Sequence, residues 1–140
     1  MRKIVLDTDF LSLPCEEVSV EEGQEIAKEL IDSMPRYAVG IAANQVGIQK
    51  RVCVVNVDKT IILINPIITH SQGELIYMEG CISYPKMYVR TKRFASITVE
   101  ADNHTAPLHF STNNILECVC VQHEIDHLNG ITMFQREYKK

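Results

Sequence analysis

The stretch "NNILECVCVQHEIDHLNG", residues 113–130, decides how the rest of this chain must be arranged. On a helix, its apolar side chains would point to almost every side. One face of the helix would contain Leu116, Val119, Cys120, His123 and His127. Much of the remaining surface would be covered by Cys118, Val121, Ile125 and Leu128. Asn113 or Asn114 can cap the start of this helix, and Gly130 can end it. A helix that is apolar nearly all round belongs in a core, so we predict a buried central helix.

Two histidines on this helix have the spacing of a metal site. His123 and His127 are four residues apart, so their rings project from one face about one turn apart. Glu124 lies beside the first of them, where a carboxylate can reach water at an ion. The alternative is a pair of core histidines whose ring nitrogens are satisfied by hydrogen bonds. His-Glu-x-x-His on a buried helix favours metal catalysis over that alternative.

A catalytic metal site usually has a third protein ligand, and the sequence points upstream for it. Among the residues after His127, Glu137 is the one carboxylate, and it has no matching motif. Cys81 lies in "MEGCISYP", residues 78–85, directly after Gly80, which lets the backbone approach a ligand closely. A metal would deprotonate a thiol there, although an ordinary buried thiol remains the alternative. We expect the other histidines, at positions 70, 104 and 109, to be structural or exposed.

Composition limits the class of protein further. The chain has 140 residues, 46% of them hydrophobic, which favours one folded domain and argues against disorder. Its net charge of −4 is spread along the chain, so we expect no nucleic-acid partner. There is no apolar run of membrane-spanning length and no signal-peptide pattern, so we expect no membrane partner. The odd count of 5 cysteines favours reduced thiols in an intracellular protein.

The remaining segments predict an α+β fold. "SVEEGQEIAKELIDSMPRYA", residues 19–38, predicts an N-terminal helix that is capped by Ser19 and stopped by Pro35. Val20, Ile26, Leu30, Ile31 and Met34 are expected on its packed side. Between positions 40 and 112, short β-branched runs separated by turns predict antiparallel β-sheets. The fold class is therefore an N-terminal helix, antiparallel sheets and the buried central helix.

Three stretches together resemble the peptide deformylase family. They are "VGIAANQVG" at 39–47, "EGCIS" at 79–83 and "QHEIDH" at 122–127. Their order and separation both fit the family, and the likeness extends over nearly the whole chain. It implies one catalytic domain over residues 1–140. It also implies an enzyme that removes the formyl group from N-formylmethionine at the start of new bacterial or organellar proteins.

The resemblance assigns roles position by position. Cys81, His123 and His127 would hold one divalent ion, typically Fe(II), which Zn, Ni or Co can replace. Glu124 would act as general base and then as general acid. Gln45 and the backbone N–H of Ile82 would form the oxyanion hole.

The same matching implies a substrate site. Gly40 and its neighbours would pair with the substrate backbone like an added strand, with Gly80 beside the cleft. The pocket for the methionine side chain would be formed by Val39, Tyr77, Leu116, Val119, Cys120 and His123. Leu116 could instead be part of the core alone. Glu79 is expected to support the metal ligands, and Arg90 is expected to pair with Asp126.

The chain departs from the family pattern at three places. Ala38 replaces the first glycine of the first motif, and the segment "KMYV", residues 86–89, is shorter than usual. The chain also ends soon after the catalytic helix, so ribosome docking through a C-terminal helix is not expected. We expect a cytoplasmic monomer, either bacterial or encoded by a phage, with an organelle left open.

Two competing functions remain at this point. One is another His-Glu-x-x-His metallohydrolase, such as an aminopeptidase or a protease. The other is a metal-binding domain without catalytic activity. The presence of both Glu124 and Gln45 favours an enzyme, because a purely structural metal site needs neither.

Overall fold

A computed structural model describes residues 2–139 and has the α+β architecture that the sequence predicts. Its helices are α1 (Thr8–Leu11), α2 (Val20–Ser33) and α3 (Ile115–Leu128). Its strands are β1 (Gly40–Ala42), β2 (Val52–Asn56), β3 (Thr60–Ile64), β4 (Ile67–Gln72), β5 (Leu75–Cys81), β6 (Tyr84–Arg93), β7 (Ser96–Glu100) and β8 (Leu108–Ser111). They form three antiparallel sheets, with strand orders β1-β2-β3, β4-β7-β8 and β5-β6.

Strand β2 is buried on both faces and separates two hydrophobic clusters. Val52 and Val54 pack in the cluster that includes α2, whereas Cys53 and Val55 pack in the cluster that includes α3. This division follows from the strand itself, because successive side chains point to opposite faces. The sheet β1-β2-β3 therefore has one helix on each side.

Helix α3 is the buried central helix that the sequence predicts. Every residue from Cys118 to Leu128 is buried. On one side α3 packs against the sheet β1-β2-β3, and on the other against the sheet β4-β7-β8 through residues such as Ile97 and Phe110. Asn114 caps its start by accepting a hydrogen bond from the Glu117 N–H at 3.2 Å. The helix is therefore held between two sheets, and its position is fixed by close packing along most of its length.

Helix α2 confirms part of the sequence prediction and corrects another part. Ser19 caps it by accepting a hydrogen bond from the Glu22 N–H at 3.1 Å, and the helix ends before Pro35. Val20 and Ile31, however, are 39% and 47% exposed rather than packed. Each residue advances the helix by about 100°, so a position five residues after Ile26 lies about 140° away from it.

Two strands, β1 and β6, lack the short β-branched runs from which the sequence predicts strands. Strand β1 has only 3 residues. The 10-residue strand β6 contains proline and lysine, which are depleted in strands. It pairs with β5, and an isolated bridge joins its Thr91 to Glu137 near the C-terminus. Within residues 2–139, no helix combines the length and the apolar character that a membrane crossing needs.

Candidate metal centre

Three side chains from two elements of the fold converge at one point. Cys81 ends strand β5, and His123 and His127 lie one turn apart on α3. The Cys81 Sγ is 3.4 Å from the Nε2 of His127, which is 3.2 Å from the Nε2 of His123. All three ligand atoms lie within 4.8 Å of one another. The two histidines share a helix face because of their spacing, and the sheet β5-β6 brings the cysteine to them.

A buried carboxylate orients the first histidine. Glu79 accepts a hydrogen bond from His123 Nδ1 at 2.8 Å, which leaves Nε2 facing the other two ligand atoms. Arg93 donates two hydrogen bonds to the same carboxylate, at 2.6 and 2.8 Å, and Thr91 donates another. Burial alone would raise the pKa of Glu79, but the hydrogen bonds from Arg93 and His123 lower it to about 2. Glu79 is therefore a stable anion behind the ligand.

This donor set fits a divalent metal ion. One thiolate and two imidazoles suit Zn²⁺, Fe(II), Ni(II) or Co(II), whereas Mg²⁺ and Ca²⁺ prefer oxygen ligands. Three protein ligands are also the usual number in a catalytic site, which keeps a further position for water or substrate. The carboxylate behind His123 is the kind of partner that metal-bound histidines usually have.

Glu124 lies between the two histidines on α3 and is buried. Its Oε1 has no hydrogen-bond partner among the described residues, and its Oε2 is 4.0 Å from the Cys120 Sγ. The pKa of Glu124 is raised to about 7, chiefly by burial; His123 opposes that rise, the Glu79 charge adds to it, and Arg93 opposes it. A carboxyl group with a pKa near neutral pH can both accept and return a proton.

Gly40 allows strand β1 to approach this carboxylate. A Cβ atom at position 40 would lie 2.6 Å from the Cys120 Sγ and 2.7 Å from the Glu124 Oε2. Both distances are too short for real atoms, and both side chains are buried. Only glycine therefore fits between β1 and α3 at this point.

Gln45 points its amide group at the same centre. It lies in the 3₁₀ turn that follows β1, and its Oε1 accepts a hydrogen bond from the Ala42 N–H at 2.9 Å. Its Nε2 donates to Ser83 Oγ at 3.2 Å and lies 3.4 Å from the Cys81 Sγ. The two hydrogen bonds fix which side of the amide faces Cys81. Ile82 lies in the turn after Cys81 and lines the cleft.

The cleft in front of these groups is a cavity of about 570 Å³. Its lining includes every residue that the sequence suggested for substrate binding, namely Val39, Gly40, Tyr77, Gly80, Leu116, Val119 and Cys120. Val119 and Cys120 are buried, whereas Leu116 is 37% exposed at the edge. On the α3 side its lining is apolar at Leu116, Val119 and Cys120, and the buried side chains of His123 and Glu124 form what we call its base.

The predicted pair of Arg90 and Asp126 is wrong. Asp126 instead contacts Arg93 Nη1 at 2.6 Å and accepts two hydrogen bonds from Arg136, both at 3.0 Å. The Arg90 guanidinium lies over the ring of Tyr138, 5.6 Å from its centroid. The reason is the alternation of β6, in which Val89 and Thr91 point inward and Arg90 points outward.

Sequence reasoning missed three residues that support the site. Arg93 and Ser83 are 4% and 2% exposed, and Arg136 holds the carboxylate of Asp126 from the C-terminal segment. For Arg93, the alternation of side chains in a strand over residues 84–93 would place it on the same inward face as Val89 and Thr91. No comparable signal marks Arg136, because its partner is known only from the folded arrangement.

The fold and the site together define a class of enzyme. A thiolate and two histidines that can hold a metal, with a buried carboxylate and an amide donor facing a cleft, are the parts of a metal-dependent amide hydrolase. The sequence model described as polypeptide deformylase matches residues 1–140. The chain belongs to the polypeptide deformylase family.

Individual relatives agree with this assignment. The peptide deformylase of Aquifex aeolicus is 33% identical over 144 residues, which cover 95% of this chain and 85% of the relative. The crystal structure of the peptide deformylase from Thermotoga maritima superposes with a TM-score of 0.89, at 28% identity, over 99% of each chain. That of a probable peptide deformylase from the Synechococcus phage S-SSM7 superposes with a TM-score of 0.86, at 31% identity, over 97% and 99%.

Proposed function

We propose that this chain hydrolyses the formyl group of peptides that begin with N-formylmethionine and releases formate. One observation carries the proposal. Cys81, His123, Glu124 and Gln45 line one cleft, and the Nε2 of His127 lies within 3.4 Å of both the Cys81 Sγ and the His123 Nε2. The proposed unit is one catalytic domain over residues 1–140, acting as a cytoplasmic monomer in a bacterium or an infected cell.

The proposed native ion is Fe(II), with Zn, Ni and Co as replacements. Cys81, His123 and His127 would hold it, and Glu79 would keep His123 in the required tautomer. When bound, such an ion supplies Lewis acidity, which lowers the pKa of water and polarises a carbonyl group. The mixture of one sulfur and two nitrogen donors supports a borderline-soft ion of this kind.

Glu124 is the proposed proton carrier. Its carboxylate takes a proton from the attacking water, whose oxygen forms the new bond to the formyl carbon. The same group then gives that proton to the departing amine as the C–N bond breaks, so the products are formate and a free amino terminus. A pKa of about 7 supports both steps, because the group can hold or lose a proton near neutral pH.

Gln45 and the backbone N–H of Ile82 are the proposed donors to the oxygen that becomes negative during attack. The amide of Gln45 is already oriented, since Ala42 and Ser83 hold its two ends. A donor fixed before the reaction needs no reorganisation as charge develops, which is why such groups lower the barrier. Ser83 is therefore the proposed positioning residue for Gln45.

The substrate is proposed to lie along β1. Among the described residues, the Gly40–Ala42 strand pairs with β2 along one edge only, so its other edge can hydrogen-bond an extended peptide. The methionine side chain would enter the apolar part of the cavity against Val119 and Cys120. Gly40 and Gly80 let the two backbones approach closely.

Formate release from a formyl-Met peptide, assayed with Fe(II)- or Ni(II)-loaded protein, tests this function. Glu124→Gln should keep the metal and lower kcat by about 10² to 10⁴-fold, because it removes the proton carrier. Glu117→Gln, on the same helix but outside the cleft, should change kcat little.

Two outcomes would contradict the proposal. Cleavage of unformylated peptides without formate release would indicate a protease or aminopeptidase. Bound metal with no hydrolysis of either kind of peptide would indicate a metal-binding domain without catalysis.

A further inference from the structure

The hairpin β5-β6 contains a bulge that faces the cleft. Tyr84 pairs with Cys81, but the next pair joins Tyr88 to Gly80. The intervening residues Pro85, Lys86 and Met87 therefore leave the strand ladder, and all three line the cleft. Bulges of this kind re-aim side chains next to functional sites.

Lys86, at the centre of this bulge, has an unusual backbone conformation. Its φ is +64°, in the left-handed region that residues with a side chain rarely adopt. Such conformations persist where the surrounding structure imposes them, and they concentrate at ligand-binding sites. Lys86 is also exposed and forms no ion pair within residues 2–139. An unpaired cation is thus held at the mouth of the cleft.

The surroundings of Lys86 are mostly apolar. Tyr37, Met87 and Tyr88 also line the cleft and are 79%, 48% and 71% exposed. Together with Lys86 they form what we call the rim of the cleft. Lys86 is the one lysine or arginine among the described residues that line it. An exposed apolar rim with one free cation matches a ligand segment that combines apolar groups with a negative charge.

The carboxylates of the cleft do not cancel this cation. Glu79 is buried and its charge is matched by Arg93 and His123. Glu124 is buried at the base of the cavity, next to the proposed reaction. A negative group that enters the mouth would therefore meet the free cation of Lys86 at the rim.

We propose that Lys86 selects, among formyl-Met peptides, those with aspartate or glutamate in the first two positions after methionine. The inference rests on the proposed function, because it needs a peptide anchored by its methionine in the cavity. An extended peptide advances about 3.3 Å per residue, and the proposal places the two residues after methionine beside Lys86 at the cleft mouth. Opposite charges at such a partly exposed site favour the acidic peptide by a modest factor.

The test compares kcat/KM for amidated formyl-Met tripeptides with one glutamate, glutamine or lysine at the second or third position. Wild-type protein should prefer glutamate over lysine about threefold or more at low salt in at least one position. Lys86→Glu should reverse the preference. Lys86→Asn, which tolerates a positive φ, should reduce the ratio to about 1. High salt should compress every difference by screening.

Lys59→Glu is the matched control, since Lys59 is an exposed lysine outside the cleft. It should leave the wild-type ratio unchanged. An unchanged ratio in Lys86→Glu, or an equal shift in Lys59→Glu, would overturn the selection by Lys86.

Hydrolysis of the glutamine peptides separates the failure of this proposal from the failure of the proposed function. If it is normal while the charged peptides show no preference, only the role of Lys86 fails. If no peptide releases formate, the proposed function fails.

Discussion

The base and the rim of the cleft are built in opposite ways. Behind the base, Glu79, Arg93 and Asp126 are buried and joined by ion pairs of 2.6 Å, and Glu79 contacts His123 at 2.8 Å. At the rim, Tyr88 is 71% exposed and Lys86 has no ion pair within residues 2–139. Chemistry requires donor atoms fixed within fractions of an ångström, whereas the rim must accept peptides of different sequence. Changes at the base should therefore be costly, and changes at the rim should be mild.

The largest effect is expected for Cys81→Ser. The variant replaces the one sulfur ligand with a hydroxyl that binds borderline-soft ions weakly. We expect metal affinity to fall by at least about 100-fold and activity to fall with it. Metal content by mass spectrometry after brief chelation checks this. Cys15→Ser, which changes a buried thiol outside the ligand group, should retain its metal. Equal retention by both variants would contradict the ligand role of Cys81.

Arg93→Leu should cost more stability than any change at the rim. It leaves Glu79 and Asp126 without their shared buried cation, a loss of about 3 to 5 kcal/mol in the free energy of unfolding. Arg90→Leu, three positions earlier on the exposed face of β6, should cost less than about 1 kcal/mol. Urea unfolding of both metal-free proteins measures the difference. Equal losses would mean that the pairing of Asp126 with Arg93 does not matter in solution.

The sequence predicts the positions of the candidate metal ligands better than it predicts the residues that support them. Four-residue spacing on a helix places His123 and His127 side by side whatever the rest of the fold does. The helix that holds them is apolar on nearly all sides, so its burial could also be predicted. These features depend on local periodicity, which a single sequence displays directly.

The supporting residues depend on long-range pairing, which a single sequence does not display. The partner of Asp126 follows from which side chains of β6 point inward, and the proline and lysines of that strand give it a weak strand signal in the sequence. The local sequence gives Ser83 no role, yet it is buried and accepts a hydrogen bond from Gln45. Its role depends on bringing together elements 38 residues apart in the chain.

Ser83→Ala tests whether the orientation of Gln45 matters for the reaction. The variant removes the acceptor that holds one side of the amide, so we expect kcat to fall about tenfold, equivalent to about 1.4 kcal/mol, with KM unchanged. Ser83→Thr, which keeps the hydroxyl, should recover much of the activity. Ser71→Ala, on the exposed strand β4, is the control. A rise in KM with constant kcat would instead place Ser83 in substrate binding.

The smallest effect is expected for Tyr88→Ala, and it tests the rim. Tyr88 is mostly exposed, so its removal should change the free energy of unfolding by less than about 0.5 kcal/mol. It should raise KM for formyl-Met tripeptides by about two- to fivefold through lost contact area, with kcat constant. Val119→Ala, on the buried side of the same cavity, should lower stability by about 1 to 3 kcal/mol as well as raise KM. If Tyr88→Ala lowered kcat instead, the rim would take part in positioning the reacting group, and the separation between base and rim would not hold.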